Sequence, residues 1–213
     1  MKTLILLFVS LCLSLDIQAQ SSDQAYNKAM KDAVEKLDGL KSSSDLQVCK
    51  NSFERISKLY DTKWLPIYYV AYCNIELVYW EKESAQNKLR LEEAEKHLKI
   101  LEKMKEAEVS EVENLWGYYY MCLISRDPEN MGRKLFQPTI TKLENAIKLN
   151  PNNPRPIILL AFFEQNLPPF MKSKRNALEE MKKAEELFNQ ESENIENPYW
   201  GKIFTQMIKI DNK

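Results

Sequence analysis

The chain has 213 residues, and 30 Lys plus Arg nearly balance 31 Asp plus Glu, for a formal net charge of −1. With no basic excess to neutralise phosphates or hold an anionic bilayer, the composition excludes nucleic acid and lipid headgroups as main partners. Only 4 glycines, set against 29% charged and 44% hydrophobic residues, favour helices around a buried core over turn-rich sheets.

The first residues read as a targeting segment. Lys2 supplies the positive start, Leu4 to Leu15 is apolar apart from Ser10 and Ser14, and Ile17-Gln18-Ala19 offers a cleavage site before Gln20. The expectation is a signal peptide over residues 1–19 and one domain over 20–213, exported to the periplasm or secreted. The apolar run is too short for a membrane span, which needs ~20 residues. A lipid attachment at Cys12 is disfavoured because Leu11 stands where a small residue is wanted. Cleavage would leave Cys49, Cys73 and Cys122, an odd set without metal-site spacing. They read as small buried apolar residues, or with Cys73 and Cys122 bonded across neighbouring helices.

From there the chain alternates between two kinds of helix. Ala29, Met30, Ala33, Val34 and Leu37 recur at helical spacing up to Gly39, which reads as a left-handed cap. Leu46, Cys49, Phe53 and Ile56 form the next stripe, with Ser44 and Asp45 as candidate caps. A second pair begins near Trp64, with a broad face of Tyr68, Ala71, Tyr72, Ile75 and Tyr79, followed by the stripe Leu91, Ala94, Leu98, Leu101. On the far side of that stripe, Glu92–Lys96 and Glu95–Lys99 have the favoured order, worth ~0.2–0.5 kcal/mol each. A third pair spans Glu111 to Ile124 and Phe136 to Leu149 and ends at Asn150-Pro151-Asn152-Asn153-Pro154, where each proline discourages helix in the residue before it. A fourth spans Arg155 to Asn166 and Ser173 to Phe188, and a closing helix is expected from Pro198 to about Ile208.

Ala33, Ala71, Gly117, Ala161 and Gly201 recur at intervals of 38, 46, 44 and 40 residues. A small residue at such a site lets two helix axes approach closely, which a bulky one would prevent. Trp116-Gly117 with Tyr120 in a first helix, Ala177, Met181 and Ala184 in a second, and Leu143, Ala146 and Pro151 together resemble the tetratricopeptide repeat family. The run from Asp127-Pro128 to Pro198-Tyr199-Trp200-Gly201 is similar to small secreted bacterial members of it, although Phe170-Met171-Lys172-Ser173 replaces their glycine-rich turn. The resemblance implies an all-α, right-handed superhelical solenoid of about four degenerate helix pairs plus a C-terminal capping helix. It also implies first helices lining a concave face, and no catalytic residues.

The residues themselves offer no reaction centre. The single histidine, His97, sits on a charged helix, and no metal, cofactor, phosphate-loop or nucleophile motif accompanies it. Eight of the ten tyrosines lie on first helices instead. Positions three before and one after the small residue form one stripe: Tyr68 and Tyr72, Asn114 and Tyr118, then Ile158 and Phe162, with Arg155 one turn earlier. Tyr68, Tyr72, Asn114, Tyr118, Arg155 and Phe162 are thus the candidate partner-binding residues, unless the same aromatics fill seams between pairs. The function expected is a non-enzymatic scaffold that binds a peptide or protein segment in the bacterial envelope. The alternative is a carrier that encloses a small ligand among these rings.

Overall fold

A computed structural model describes residues 23–172, 175–191 and 195–207, which leaves the expected signal peptide outside the described residues. Those residues are helical and without strands. In chain order the helices are α1 (23–38), α2 (Ser43–Leu59), α3 (Trp64–Trp80), α4 (Asn87–Leu101), α5 (Val109–Arg126), α6 (Pro128–Leu149), α7 (Pro154–Gln165) and α8 (Ala177–Gln190). A short 3₁₀ turn covers Pro169–Met171, and another covers Lys202–Gln206.

Caps and prolines set most of these boundaries. The Ser42 hydroxyl accepts from the Asp45 amide at 3.1 Å, so α2 is capped two residues before the expected Ser44. Asp127 accepts from the Asn130 amide at 3.1 Å, and Pro128 occupies the first turn, where a missing N–H costs nothing. Together they start α6 at Pro128 rather than at Phe136. The helix then runs through Pro138, next to which Thr139 returns its hydroxyl to the Leu135 carbonyl at 2.7 Å. Asn153 caps α7 through the Arg155 amide at 3.1 Å, and Asn176 caps α8 through the Leu178 amide at 3.1 Å.

Packing follows chain order. α2 rests on α3, α3 on α4, α5 on α6 and α7 on α8, while α3, α5 and α7 also touch in succession. These three carry apolar residues nearly all round, as inner helices must: α3 buries Leu65, Ile67, Val70, Cys73, Ile75 and Leu77, which cover most of its circumference. The outer helices bury single stripes, such as Ala94, Leu98 and Leu101 on α4 or Leu143 and Ala146 on α6. Their other faces are charged, with Glu95 and Lys99 paired at 2.6 Å, while Glu92 faces Lys88 at 4.0 Å. Phe53 stacks on Tyr69 with ring centres 4.5 Å apart, joining α2 to α3. Cys49, Cys73 and Cys122 are buried free thiols.

Among the small residues, Gly117 has a direct steric reason. A Cβ there would lie 2.6 Å from Leu143 Cδ2 and 2.7 Å from its Cγ, so α6 approaches α5 through the space that the glycine leaves. Ala33, Ala71 and Ala161 are buried. Gly201 belongs to a different device: it stands outside any helix with φ of +102°, the left-handed region that glycine alone enters freely, and turns the C-terminal segment. Gly39, expected to be left-handed, is not. The expected closing helix is likewise replaced, between Pro198 and Met207, by a stretch without regular secondary structure, this turn and the five-residue 3₁₀ turn; Ile208 lies outside the described residues.

Gly117→Val should overpack the α5–α6 contact at a cost of about 3 kcal/mol. Thermal unfolding should then move down by roughly 6 °C or more for a domain of this size. Adding Leu143→Ala should recover part of the loss, because the two side chains would compete for one space.

Candidate functional site

The C-terminal segment lies across the inner helices, and a buried arginine holds it there. The Arg155 guanidinium, on the first turn of α7, is 2% exposed. Its Nη1 donates to Glu191 Oε1 at 2.8 Å and to Glu111 Oε1 at 3.2 Å, and its Nη2 donates to Glu191 Oε2 at 3.0 Å and to the Pro198 carbonyl. Glu111, on the first turn of α5, also accepts from Tyr68 Oη at 2.8 Å and Asn153 Nδ2 at 2.9 Å. Tyr68 Oη in turn accepts from Trp200 Nε1 at 2.9 Å, and Tyr69 Oη accepts from the Tyr199 amide at 2.8 Å. A guanidinium cannot discharge its proton to escape burial, so it needs these carboxylates. The result is a chain of contacts from α3 through α5 and α7 to the end of α8 and the segment beyond.

Past this anchor the segment forms one wall of a cleft of about 760 Å³. The inner helices supply the facing wall: Tyr72, Glu76, Tyr79 and Trp80 from α3, Tyr118 and Met121 from α5, and Phe162 from α7. The segment contributes Trp200, Ile203, Phe204 and Met207, and the end of α1 adds Leu37 and Asp38. Tyr79 and Tyr118 stack at 5.5 Å with planes 26° apart, Tyr72 meets Trp200 at 4.5 Å and 33°, and Tyr118 meets Trp200 at 5.4 Å and 32°. The cleft is therefore floored by rings of similar tilt. Its apolar residues continue to the surface, with Trp80 44%, Ile203 53% and Met207 48% exposed.

One carboxyl interrupts the rings. Glu76 Oε1 accepts from Tyr118 Oη at 2.5 Å and its Oε2 from Trp80 Nε1 at 3.2 Å. Burial raises its pKa above the ordinary carboxylate value, against the pull of hydrogen bonds from Tyr118, Trp80 and Tyr72. Burial also pushes the hydroxyls of Tyr72, Tyr79 and Tyr118 well above the usual phenol range, so all three keep their protons as donors.

The six residues that the sequence singled out fall into two sets. Tyr72, Tyr118 and Phe162 line the cleft together. Tyr68, Asn114 and Arg155 are buried and leave no surface for a partner to touch. Tyr68 and Arg155 belong to the network that holds the C-terminal segment, and the Asn114 amide is buried with no hydrogen-bond partner among the described residues. The open face expected for a peptide is occupied by the chain's own tail: Trp200 lies on Tyr72 and Tyr118, and Phe204 on Tyr118 and Phe162. Sequence reasoning passed over Glu76, Trp80, Trp200 and Phe204. Trp200 and Phe204 fall within the expected closing helix, and Glu76 reads as one more charge on a helix. His97 is on α4, which contributes nothing to the cleft, and its Nδ1 lies 2.7 Å from the Glu93 carbonyl.

Among known proteins, a solved structure described as the HusA haemophore from Porphyromonas gingivalis has the same fold. It superposes with a TM-score of 0.73 at 24% identity, over 85% of this chain and 90% of that one. The likeness shows the all-helical fold. No family model matches the sequence, so the tetratricopeptide relation stays a resemblance, and no curated protein matches it.

Removing the anchor should be costly in a way that exposes its connectivity. Arg155→Met would leave Glu111 and Glu191 uncompensated, and denaturant unfolding should show a loss of about 3–5 kcal/mol. Tyr68→Phe would strip one partner from both Trp200 and Glu111, for about 1–3 kcal/mol. The double variant should lose less than the sum of the two, since both act on one network.

Proposed function

We propose that this chain is a non-enzymatic carrier, exported by its N-terminal segment, that holds a flat and largely apolar ring system of the porphyrin class in the Tyr–Trp cleft. The observation that carries this reading is the cleft itself: about 760 Å³, floored by rings of similar tilt, bounded by the chain's own tail and open through an apolar mouth. That volume lies in the range of ~300–1,000 Å³ typical of small-molecule sites. Offset stacking on the part-exposed Tyr72 and the exposed Trp80 would add to the burial of the ligand's faces. The haemophore of similar fold supports the same class of cargo.

The arrangement also favours a carrier over a peptide scaffold. A scaffold would present its first-helix face to the partner, and here that face is covered by residues 198–207. We read the helices as a curved solenoid of four pairs, supported by the succession of α3, α5 and α7 contacts, with the tail lying along its inner side. If the cargo contains iron, a protein donor would come from a methionine sulfur of the cleft, since the tyrosines there keep their protons and the one histidine lies on α4.

The test is titration of the mature protein with iron(III) protoporphyrin, followed by quenching of tryptophan emission and by the porphyrin absorption band. Saturable one-to-one binding is expected. Trp80→Ala, at an exposed rim position, should weaken it about tenfold with a stability change under ~1 kcal/mol. Tyr72→Leu should weaken it at least as much. A wild-type protein that binds no porphyrin would overturn the reading.

A further inference from the structure

Glu76 is out of place in a cleft built to accept an apolar ring. Both inner walls turn donors toward it, Trp80 from its own helix and Tyr118 from α5, and the hydrogen bonds are 3.2 and 2.5 Å long. Among the described residues no Lys or Arg forms an ion pair with it. The titratable groups nearby are Tyr72 and Tyr79 on α3, Tyr118 and Cys122 on α5, Asp38 at the end of α1, Glu191 after α8, and Lys202 on the tail. The Lys202 ammonium is engaged with Asn189 Oδ1 at 2.9 Å, and α7 faces the cleft with the uncharged Phe162. The phenols and the Cys122 thiol are all shifted upward by burial and stay neutral, so none of them brings Glu76 a compensating charge.

Resting on the carrier reading, we propose that cargo uptake in this cleft is coupled to the binding of one proton by Glu76. In the empty cleft, water on the open side and donors on the closed side share the stabilisation of the carboxylate. A ring laid over it removes the water and offers an apolar face instead, and an ionised carboxyl that loses its water favours its neutral form. The proton comes from solvent and stays on Glu76, whose remaining lone pairs still accept from Trp80 and Tyr118. A cargo that brought its own cation or hydrogen-bond donor to that spot would escape the coupling, so Glu76 also discriminates among cargoes.

The sign follows from linkage. The carboxyl is already raised in the empty protein and is raised further when covered. Between those two values, occupancy takes up a proton, and affinity increases up to about tenfold for each unit by which pH falls. Above the higher value the affinity levels off weak, and below the lower value it levels off tight. The protein would thus load at acid pH and release as pH rises.

The experiment compares wild type with Glu76→Gln, using metal-free protoporphyrin, which brings no metal cation to the carboxyl, as the probe. Affinity is measured from about pH 5 to about pH 8, and proton uptake is measured by calorimetry in buffers of different ionisation heat. The propionates of the probe titrate in both proteins, so the difference between the two isolates Glu76. Wild type should take up more protons than the variant, by up to one, and weaken with rising pH. The variant should vary less and bind tighter than wild type at the alkaline end. Equal proton counts and parallel profiles would overturn the coupling and leave the carrier reading intact, while absence of any binding by wild type would overturn both. Should Glu76→Gln fail to fold by circular dichroism, Trp80→Phe removes one donor and should move the affinity transition to higher pH; an unmoved transition would overturn the coupling.

Discussion

The buried Arg155 guanidinium is the constraint on which the site depends. A permanent charge that is 2% exposed is stable only where carboxylates and carbonyls surround it, and the chain draws these from α5, the end of α8 and the tail. Satisfying Arg155 therefore brings Glu191 and Pro198 to one point of the fold. Trp200 is then delivered to Tyr68 and laid against Tyr72 and Tyr118, and Phe204 follows onto Phe162. Gly201 makes the path feasible. The backbone turns there through the left-handed region, and a Cβ would stand 3.3 Å from Phe188 and 3.5 Å from Arg155. One polar network thus determines where an apolar wall stands.

Much of the helical layout was legible because periodicity and steric permission are local. The stripes Ala94–Leu98–Leu101 and Leu143–Ala146 bury as their spacing requires, and Gly117 is small because Leu143 fills the place of its side chain. α6 starts ahead of the expected Phe136 because Asp127 and Pro128, which read as a break between helices, begin one by a cap and a preset φ. Gly201 shares the spacing of the other small residues but owes its identity to a turn. A repeat of composition does not distinguish those two causes.

The site was less legible for a different reason. Tyr72, Tyr118 and Phe162, which line the cleft, could be grouped from the sequence because they share a stripe within the first helices. Their partners Trp200 and Phe204 lie far along the chain, and only the Arg155 network brings them across. Tyr68 and Arg155 shared the stripe but face inward along it, and the donors and carboxylates that hold them come from several elements. Glu76 carried no signal at all. Its chemistry depends on being closed in by Tyr118 and Trp80, which is a property of the assembled cleft.

The same rings serve the fold and the proposed cargo, and this bears on how such a cleft can work. Tyr118 is almost entirely buried, yet it stacks with Tyr79 and Trp200 and presents its hydroxyl to Glu76. Rings held on several sides do not need to be ordered when a ligand arrives, which lowers the entropic cost of binding. The cleft walls differ in this respect. The α3 and α5 rings are fixed by the core, whereas Ile203 and Met207 of the tail are about half exposed. The proposed site therefore joins a rigid floor to a more lightly held edge, and the position of that edge is governed by a salt-bridge network at the other end of the same segment.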